Sequence, residues 1–240
     1  MRTLLLGSIG TLVETSELQR SAFNKAFREA GLDWEWGRDE YRRMLADEGG
    51  RSRIASYAAE RGEQVDASAL HRDKSRHFRA MLDQGFLRAR PGVADTIAAA
   101  REAGVRVGFV STTSPDNVAH VLDAISDEID AEAFDLVMDA TYTTERKPDP
   151  DPYLTALRTL GATPLDTLVI EDNEDGVQSA VRAGLSCLAF PGANTRDHDY
   201  ADAAGLVTGA LEPSAILARL EALGTPNPGG AGGTAQGAAA

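Results

Sequence analysis

The chain has 240 residues, 42% of them hydrophobic and 25% charged, which suits one large globular domain or a medium one with a smaller insertion. Its net charge of −13 excludes the broad basic surface that binds nucleic acids or anionic membranes, but leaves room for a local basic pocket for a small anion. The single cysteine, Cys187, excludes an internal disulfide and a cysteine-based metal cluster. Without a membrane-span run or a signal-peptide pattern, we expect a cytoplasmic protein.

The first predicted element is a short buried strand at residues 3–6, which ends in a tight turn at residues 7–10. Residues 16–86 then read as entirely helical. Apolar residues recur at helical spacing in the first of these helices, and Gly31 ends it. Further helices are predicted at 39–45, 51–60 and 67–82.

After residue 87 the pattern changes to alternating helices and continuous apolar strands. Such strands between helices are typical of a parallel sheet that is covered on both faces. The predicted strands are residues 105–110, 134–138, 167–170 and 186–190, and the predicted helices are residues 93–103, 115–122, 150–160, 175–183 and 213–223.

These patterns predict an α/β fold with a Rossmann-like three-layer core, built on a parallel sheet and carrying a small helical cap domain. The core takes residues 1–15 and 87–223, and the cap takes residues 16–86. Residues 224–240 consist largely of Gly, Ala and Pro. We expect them to form a disordered tail, because they cannot bury enough apolar surface to offset the entropy of ordering.

Two acids, Glu171 and Asp172, directly follow the strand at 167–170. Adjacent carboxylates at a buried sheet edge repel each other unless a cation or hydrogen-bond donors neutralise them, and oxygen ligands of this kind suit Mg²⁺. The alternative is that Asp172 or Asn173 simply caps the next helix.

Hydroxyl groups and a lysine follow two other strands. Ser111 and Thr112 end the strand at 105–110 and precede a helix start, which suits either an anion or an ordinary helix cap. Lys147 lies in a proline-stiffened loop, and by itself reads as a surface charge. Because ligands of open α/β sheets bind beyond the carboxyl ends of the strands, we expect these residues to meet.

The order and spacing of these residues resemble three motifs of the haloacid dehalogenase-like superfamily. Ser111 matches the second motif, Lys147-Pro148 the third, and Glu171-Asp172-Asn173 with Gly176 the fourth. The similar branch has a helical cap after the first strand and includes β-phosphoglucomutase and sugar-phosphate phosphatases. The resemblance covers about residues 1–215. Parts of the cap are similar to xylulose bisphosphate phosphatases, namely Glu17, Arg20 with Ala22-Phe23-Asn24, Gly31-Leu32-Asp33-Trp34 and Gly49-Gly50-Arg51.

This resemblance implies a phosphoryl-transfer site with a magnesium ion. Ser111, Thr112 and Lys147 would bind phosphate, and Glu171 and Asp172 would hold the metal. The partner it implies is a small phosphorylated metabolite, and nothing in the sequence indicates a protein partner.

The first motif departs from the family pattern. Gly10-Thr11-Leu12 fixes the register, so the resemblance places Gly7 at the nucleophilic aspartate and Ile9 at the general acid/base aspartate. Neither residue can form an aspartyl-phosphate or deliver a proton. Losing a covalent nucleophile usually costs several orders of magnitude in rate. Period-two alternation predicts that Ser8 points away from Gly7 and Ile9.

The cap supplies candidate substrate contacts. Arg51 and Arg53 follow Gly49-Gly50 at a predicted helix start, where guanidinium groups and backbone N–H groups suit a second phosphate. Lys74 lies on a later cap helix, and Glu17 carries part of the resemblance. The alternative for Arg51, Arg53 and Lys74 is a solvated helix face.

Three functional interpretations follow. The first is a catalytically impaired phosphatase-like protein that keeps an anion pocket but binds Mg²⁺ weakly. The second is an active Mg²⁺-dependent phosphatase with a relocated nucleophile or an activated water. Asp116 and Asp175 lie near the relevant loops. Neither is expected to replace the nucleophile, because a replacement must both reach the phosphorus and attack it in line. The third is a non-catalytic interaction module.

Overall fold

The core is a six-stranded sheet with the strand order β3-β2-β1-β4-β5-β6, and every strand pair is parallel. A computed structural model describes residues 1–45, 49–83 and 87–223. The predicted α/β class with a parallel sheet is confirmed, and the two-residue edge strand β6 was not predicted. The strands are β1 (Thr3–Gly7), β2 (Arg106–Val110), β3 (Leu136–Met138), β4 (Thr167–Glu171), β5 (Ser186–Ala189) and β6 (Gly205–Leu206).

The helices fall into two groups along the chain. The first group precedes β2 and consists of α1 (Ile9–Leu12), α2 (Ser16–Glu29), α3 (Arg38–Met44), α4 (Gly50–Glu60), α5 (Ala67–Leu82) and α6 (Val93–Glu102). The second group alternates with the later strands and consists of α7 (Pro115–Ala124), α8 (Asp151–Leu160), α9 (Glu174–Arg182) and α10 (Pro213–Ala222). In the described part of the chain, no helix combines the length and the apolar character that a bilayer crossing requires.

The central strand β1 shows why the fold has three layers. Leu4 and Leu6 enter the apolar cluster on one face of the sheet, and Leu5 enters the cluster on the other face. All three side chains are fully buried, and each burial stabilises the fold by roughly 2 kcal/mol. The consecutive leucines therefore hold β1 in the middle of the sheet, with its carboxyl end at Gly7.

Helices α2 to α5 and the segment between α2 and α3 share an apolar cluster of their own, rich in aromatic rings: Phe23, Phe27, Trp34, Trp36 and Tyr41. Asn24 is buried and fixes the chain entering this cluster, because its amide donates to the Trp36 carbonyl and accepts from the Trp36 N–H. A separate core supports our proposal of a cap at 16–86. Residues 84–86 of that range and the predicted tail at 224–240 lie outside the described residues.

Arg90 joins the loops that surround the carboxyl end of β1. Its buried guanidinium donates to the carbonyls of Gly10, Phe190 and Pro191 at 2.7–2.8 Å and lies 3.5 Å from the Phe190 ring centre. This contact holds the turn after β1 against the loop after β5.

We expect Arg90→Lys to lower the free energy of unfolding by about 2–3 kcal/mol, because an ammonium cannot reach three carbonyls in this planar arrangement. Urea denaturation measures the loss. Arg88→Lys is the matched control, because Arg88 is 73% exposed and makes one long ion pair, 3.6 Å from Glu128. Equal stability of the two variants would contradict the role given to Arg90.

Candidate active site

The carboxyl ends of β1, β2 and β4 face the cap across a cavity of about 730 Å³. The core contributes the turn after β1, the loop before α7 and the start of α9. The cap contributes residues of α2, α4 and α5. The residues that line this cavity include Ser8, Ile9, Gln19, Arg53, His71, Lys74, Thr112, Thr113, Asp172 and Asn173.

Below the cavity floor, Lys147 and Glu171 form a buried ion pair. Lys147 Nζ lies 2.5 Å from Glu171 Oε1 and donates to the Val110 carbonyl at 2.8 Å. The Tyr153 hydroxyl donates to the same carboxylate oxygen at 2.6 Å. Glu171 is completely buried, and only 6% of the Lys147 side chain is exposed. Burial raises the pKa of the Tyr153 hydroxyl far above its ordinary value, so it remains a donor.

Two glycines make room for the Glu171 carboxylate. A Cβ atom on Gly7 would approach both Glu171 and the Tyr153 hydroxyl more closely than the 3.0 Å limit for real Cβ contacts. A Cβ atom on Gly176 would meet the same carboxylate equally closely. The Glu171 side chain thus fills the space beside Gly7 where a side chain at that position would begin.

Ser8 lies on the cavity side, so the prediction that it points to the opposite face was wrong. Its hydroxyl oxygen accepts from Asn173 Nδ2 at 3.2 Å and from Lys147 Nζ at 3.5 Å. The regular strand ends at Gly7, and Ser8 has φ = 59° and ψ = 154°, which breaks the alternation of side chains. A non-glycine residue in that conformation costs about 1–3 kcal/mol.

Asp172 lines the cavity and is 8% exposed. Burial, and then the negative charge of Glu171, raise the pKa of Asp172 to about 7. Asn173 donates to Asp172 Oδ1 at 3.0 Å, and its own Oδ1 accepts from the Gly176 N–H at 2.9 Å. Asn173 is therefore the cap of α9, and Asp172 remains available to the cavity.

The predicted metal ligands Glu171 and Asp172 do not fit Mg²⁺ well in this arrangement. Glu171 already accepts from Lys147 and Tyr153, which leaves Asp172 as the one carboxylate of the pair that faces the cavity. Mg²⁺ requires near-octahedral oxygen coordination. Within residues 1–45, 49–83 and 87–223, no group of three or more His, Cys, Asp or Glu side chains is placed to hold a metal ion.

The predicted phosphate-binding hydroxyls lie at two depths. Thr112 lines the cavity together with Thr113. Ser111 is buried, 3% exposed, and its hydroxyl accepts from the Thr113 N–H at 3.2 Å. Ser111 thus shapes the loop that presents Thr112 and Thr113.

In the cap, Arg53 and Lys74 line the cavity, and a substrate contact by either residue stays a prediction. Lys74 is 5% exposed, donates to Gln19, and lies 4.9 Å from the Phe23 ring centre. Burial, and then the charge of Arg53, lower the pKa of Lys74 to about 7. Among the described residues Lys74 has no salt bridge to an acid, so it is a buried cation facing a cavity without a counter-charge.

His71 is a cavity residue that the sequence analysis missed. It precedes Lys74 by three positions on α5, and this spacing places both side chains on one face of the helix. Burial, and then nearby cations led by Lys74, lower the pKa of His71 to about 4. The ring is therefore neutral at pH 7, and its nitrogens are available for hydrogen bonds.

The cavity is cationic although the protein is strongly acidic. Among the described residues that line it, the charged side chains are Arg53, Arg72, Lys74, Arg79 and Arg146 against Asp116, Asp172 and Asp175. The elevated pKa of Asp172 reduces the acidic contribution further.

Two predicted cap contacts have other surroundings. Glu17 is paired with Arg20 at 2.9 Å and with Arg38 at 3.1 Å, and these charges, with a hydrogen bond from Asn194, keep its pKa low despite some burial. Arg51 is exposed at the start of α4. A substrate contact by either residue stays a prediction.

Three polar contacts join the cap, and the segment that leads into it, to the loop after β5, and we call them the rim contacts. Asn194 donates to Glu17 at 2.9 Å, the Ala193 N–H donates to Glu14 at 2.8 Å, and Arg42 forms an ion pair with Asp197. They hold the two parts together beside the cavity.

A cap beside the carboxyl edge of a parallel sheet, with hydroxyl, lysine and acid motifs after β2, β3 and β4, is an arrangement that this chain shares with a known family. The family model of haloacid dehalogenase-like hydrolases matches residues 2–184, and the chain belongs to this family. It is 38% identical over 215 residues to protein CbbY of Cereibacter sphaeroides, covering 88% of this chain and 94% of that protein. It is 33% identical to CbbY of Rhodobacter capsulatus, covering 85% and 91%.

Solved structures agree with this assignment. CbbY from Rhodobacter sphaeroides in complex with phosphate matches with a TM-score of 0.78 and 38% identity, covering 86% of this chain and 94% of that one. A mutant of that protein in complex with xylulose-(1,5)bisphosphate matches equally well, with a TM-score of 0.78. A putative β-phosphoglucomutase from Thermotoga maritima, 21% identical with a TM-score of 0.67, shares the fold. The resemblance stated from the motifs is confirmed.

Proposed function

We propose that this protein binds a small sugar phosphate in the cavity and is impaired as a phosphatase. The proposal depends on what surrounds Gly7 and Ile9. The family resemblance aligns Gly7 with the nucleophile and Ile9 with the general acid/base. The space beside Gly7 holds the Glu171 carboxylate, which is completely buried and paired with Lys147. Ile9 is 8% exposed and belongs to the main apolar cluster.

The cationic cavity supports the anion-binding half of the proposal. Lys74 and Arg53 line it from the cap and the Thr112 hydroxyl lines it from the core, so an anion would meet charged donors on one side and a neutral donor on the other. Sugar phosphates are the ligand class that the related crystal structures suggest, since one of those proteins was crystallised with phosphate and with a ketopentose bisphosphate. Magnesium binding would be weak, because Glu171 is already paired.

A second candidate function is slow hydrolysis with Ser8 as a relocated nucleophile. The Ser8 hydroxyl faces the cavity and lies within hydrogen-bond reach of Asn173 and Lys147. A serine attack on phosphorus needs a base for the hydroxyl proton, and Asp172, with its pKa raised to about 7, is a carboxylate that lines the same cavity. The third interpretation, an interaction module, requires no ligand in the cavity.

Xylulose-1,5-bisphosphate is the probe that separates these functions. At a concentration 100-fold above Kd, binding is expected to stabilise the fold by about 2.7 kcal/mol, or about 5–10 °C in Tm. We expect that shift in wild-type protein, its loss in Arg53→Ala, and its persistence in the exposed control Arg28→Ala. We expect phosphate release no faster than in a protein-free control.

Release that Ser8→Ala abolishes would establish the second function instead. No thermal shift with either the bisphosphate or inorganic phosphate would favour the interaction module.

A further inference from the structure

The Lys147 ammonium occupies an oxygen-lined position of the kind that a cation fills. Three oxygens surround Nζ: Glu171 Oε1 at 2.5 Å, the Val110 carbonyl at 2.8 Å and the Ser8 hydroxyl at 3.5 Å. An ammonium group has three donors, so these acceptors use its full capacity. The position is built from the carboxyl ends of β2 and β4 and the turn after β1, which is where the family resemblance predicts a metal.

Glu171 cannot serve this ammonium and a divalent cation together. Its carboxylate is fully buried, with the Tyr153 hydroxyl on the same oxygen and glycine backbones on both flanks. To bind a metal in the cavity, Glu171 would have to leave Lys147 as a buried ammonium without its counter-charge, which is strongly unfavourable. Asp172 alone is a poor magnesium site.

We infer that the Lys147 ammonium replaces the divalent cation at this site, so that the site holds no metal and the cavity binds phosphoryl anions without magnesium. Magnesium-independent anion binding rests on the proposed function. The replacement of the metal by Lys147 rests only on the arrangement of Lys147, Glu171 and Tyr153.

The first test is direct metal binding to the full-length wild-type protein. Electron paramagnetic resonance of Mn²⁺ reports the free ion, and we expect no site with a Kd below about 100 μM. Saturable binding of one Mn²⁺ per chain in that range, lost in Asp172→Asn, would overturn the inference.

The second test asks whether the lysine and a metal are interchangeable. Lys147→Met leaves Glu171 and Asp172 as adjacent carboxylates without their cation, so Mn²⁺ is expected to bind this variant and to raise its Tm. Lys147→Arg, which keeps the charge, and Lys25→Met, which removes an exposed lysine, are expected to show no Mn²⁺ effect. If Mn²⁺ leaves the Tm of a folded Lys147→Met protein unchanged, the interchange is refuted. If Lys147→Met does not fold, Lys147→Gln takes its place. The Mn²⁺ titration of the wild-type protein tests the inference independently of these variants.

The third test measures xylulose-1,5-bisphosphate by calorimetry with EDTA and again with 1 mM Mg²⁺. We expect less than a twofold difference in Kd. A tenfold gain with Mg²⁺ would overturn metal independence. Failure to bind the bisphosphate under both conditions would refute the proposed function. The Mn²⁺ measurements would then still decide whether Lys147 replaces the metal.

Discussion

Gly7→Asp combined with Ile9→Asp is expected to turn the protein into a Mg²⁺-dependent phosphatase, at least about 10³-fold faster than wild type on a sugar phosphate. The first substitution supplies a carboxylate at the end of β1, in reach of the Glu171–Lys147 pair. The second supplies a proton donor where Ile9 lines the cavity. Phosphate release with and without EDTA measures the gain.

The same variant should be less stable than wild type when no divalent cation is present. A side chain at residue 7 needs the space that Glu171 and the Tyr153 hydroxyl occupy, and overpacking of this kind costs about 1–3 kcal/mol. It also adds a carboxylate beside two existing ones. Mg²⁺ should recover the lost Tm, because a cation held by the introduced carboxylate and Asp172 relieves the repulsion between neighbouring acids.

Gly7→Asn with Ile9→Asn is the matched control, since it adds the same volume without a nucleophile or an acid. Equal inactivity of both double variants, with Mg²⁺ demonstrably bound to the aspartate form, would show that the remaining loops no longer support phosphoryl transfer.

Lys74→Met is expected to raise the stability of the free protein and to weaken anion binding. The pKa of Lys74 is about 7 in the folded protein, against an ordinary value of 10.5. Between these values the unfolded chain binds more protons, so the free energy of unfolding increases with pH, and at pH 7 the lysine is a net cost. Removing it should add about 2–4 kcal/mol, or about 4–16 °C in Tm.

Affinity for xylulose-1,5-bisphosphate should fall at least about tenfold in Lys74→Met, because a buried charge-assisted contact is lost. In wild type, affinity should decrease from pH 7 to pH 9 as Lys74 loses its proton, and Lys74→Arg should remove that dependence. Lys25→Met is the control for the charge change, because Lys25 is exposed on α2. A Lys74→Met protein with unchanged affinity would place the anion elsewhere.

The sheet was predictable because its strands are short apolar runs set between helices. β1 has three consecutive leucines and β4 has Leu168-Val169-Ile170, and only a strand buried on both faces accommodates such runs. Edge strand β6 was not predicted, because its two residues, Gly205 and Leu206, are too few to form a pattern.

The candidate site was predictable in its location but not in its pairing. The strand-end motifs brought Lys147 and Glu171 to one edge of the sheet, as expected. That Glu171 turns to Lys147 depends on the absence of a side chain at Gly7 and on the Tyr153 hydroxyl, which comes from α8. The orientation of Ser8 depends on its positive φ, and a serine in the sequence does not predict that conformation.

Cap residues were the least predictable, because charge alone does not reveal burial. Lys74 and Arg76 are two positions apart on α5, yet Lys74 is buried at the cavity and Arg76 is an exposed partner of Glu29. Helical spacing from His71 identifies the correct face once the helix boundaries are known.

The rim contacts of Asn194 with Glu17 and of Arg42 with Asp197 involve no group of the cavity floor. They connect the cap directly to the loop after β5. Any movement of the cap away from that loop must break both bonds, so they favour the arrangement in which the cap stays beside the sheet.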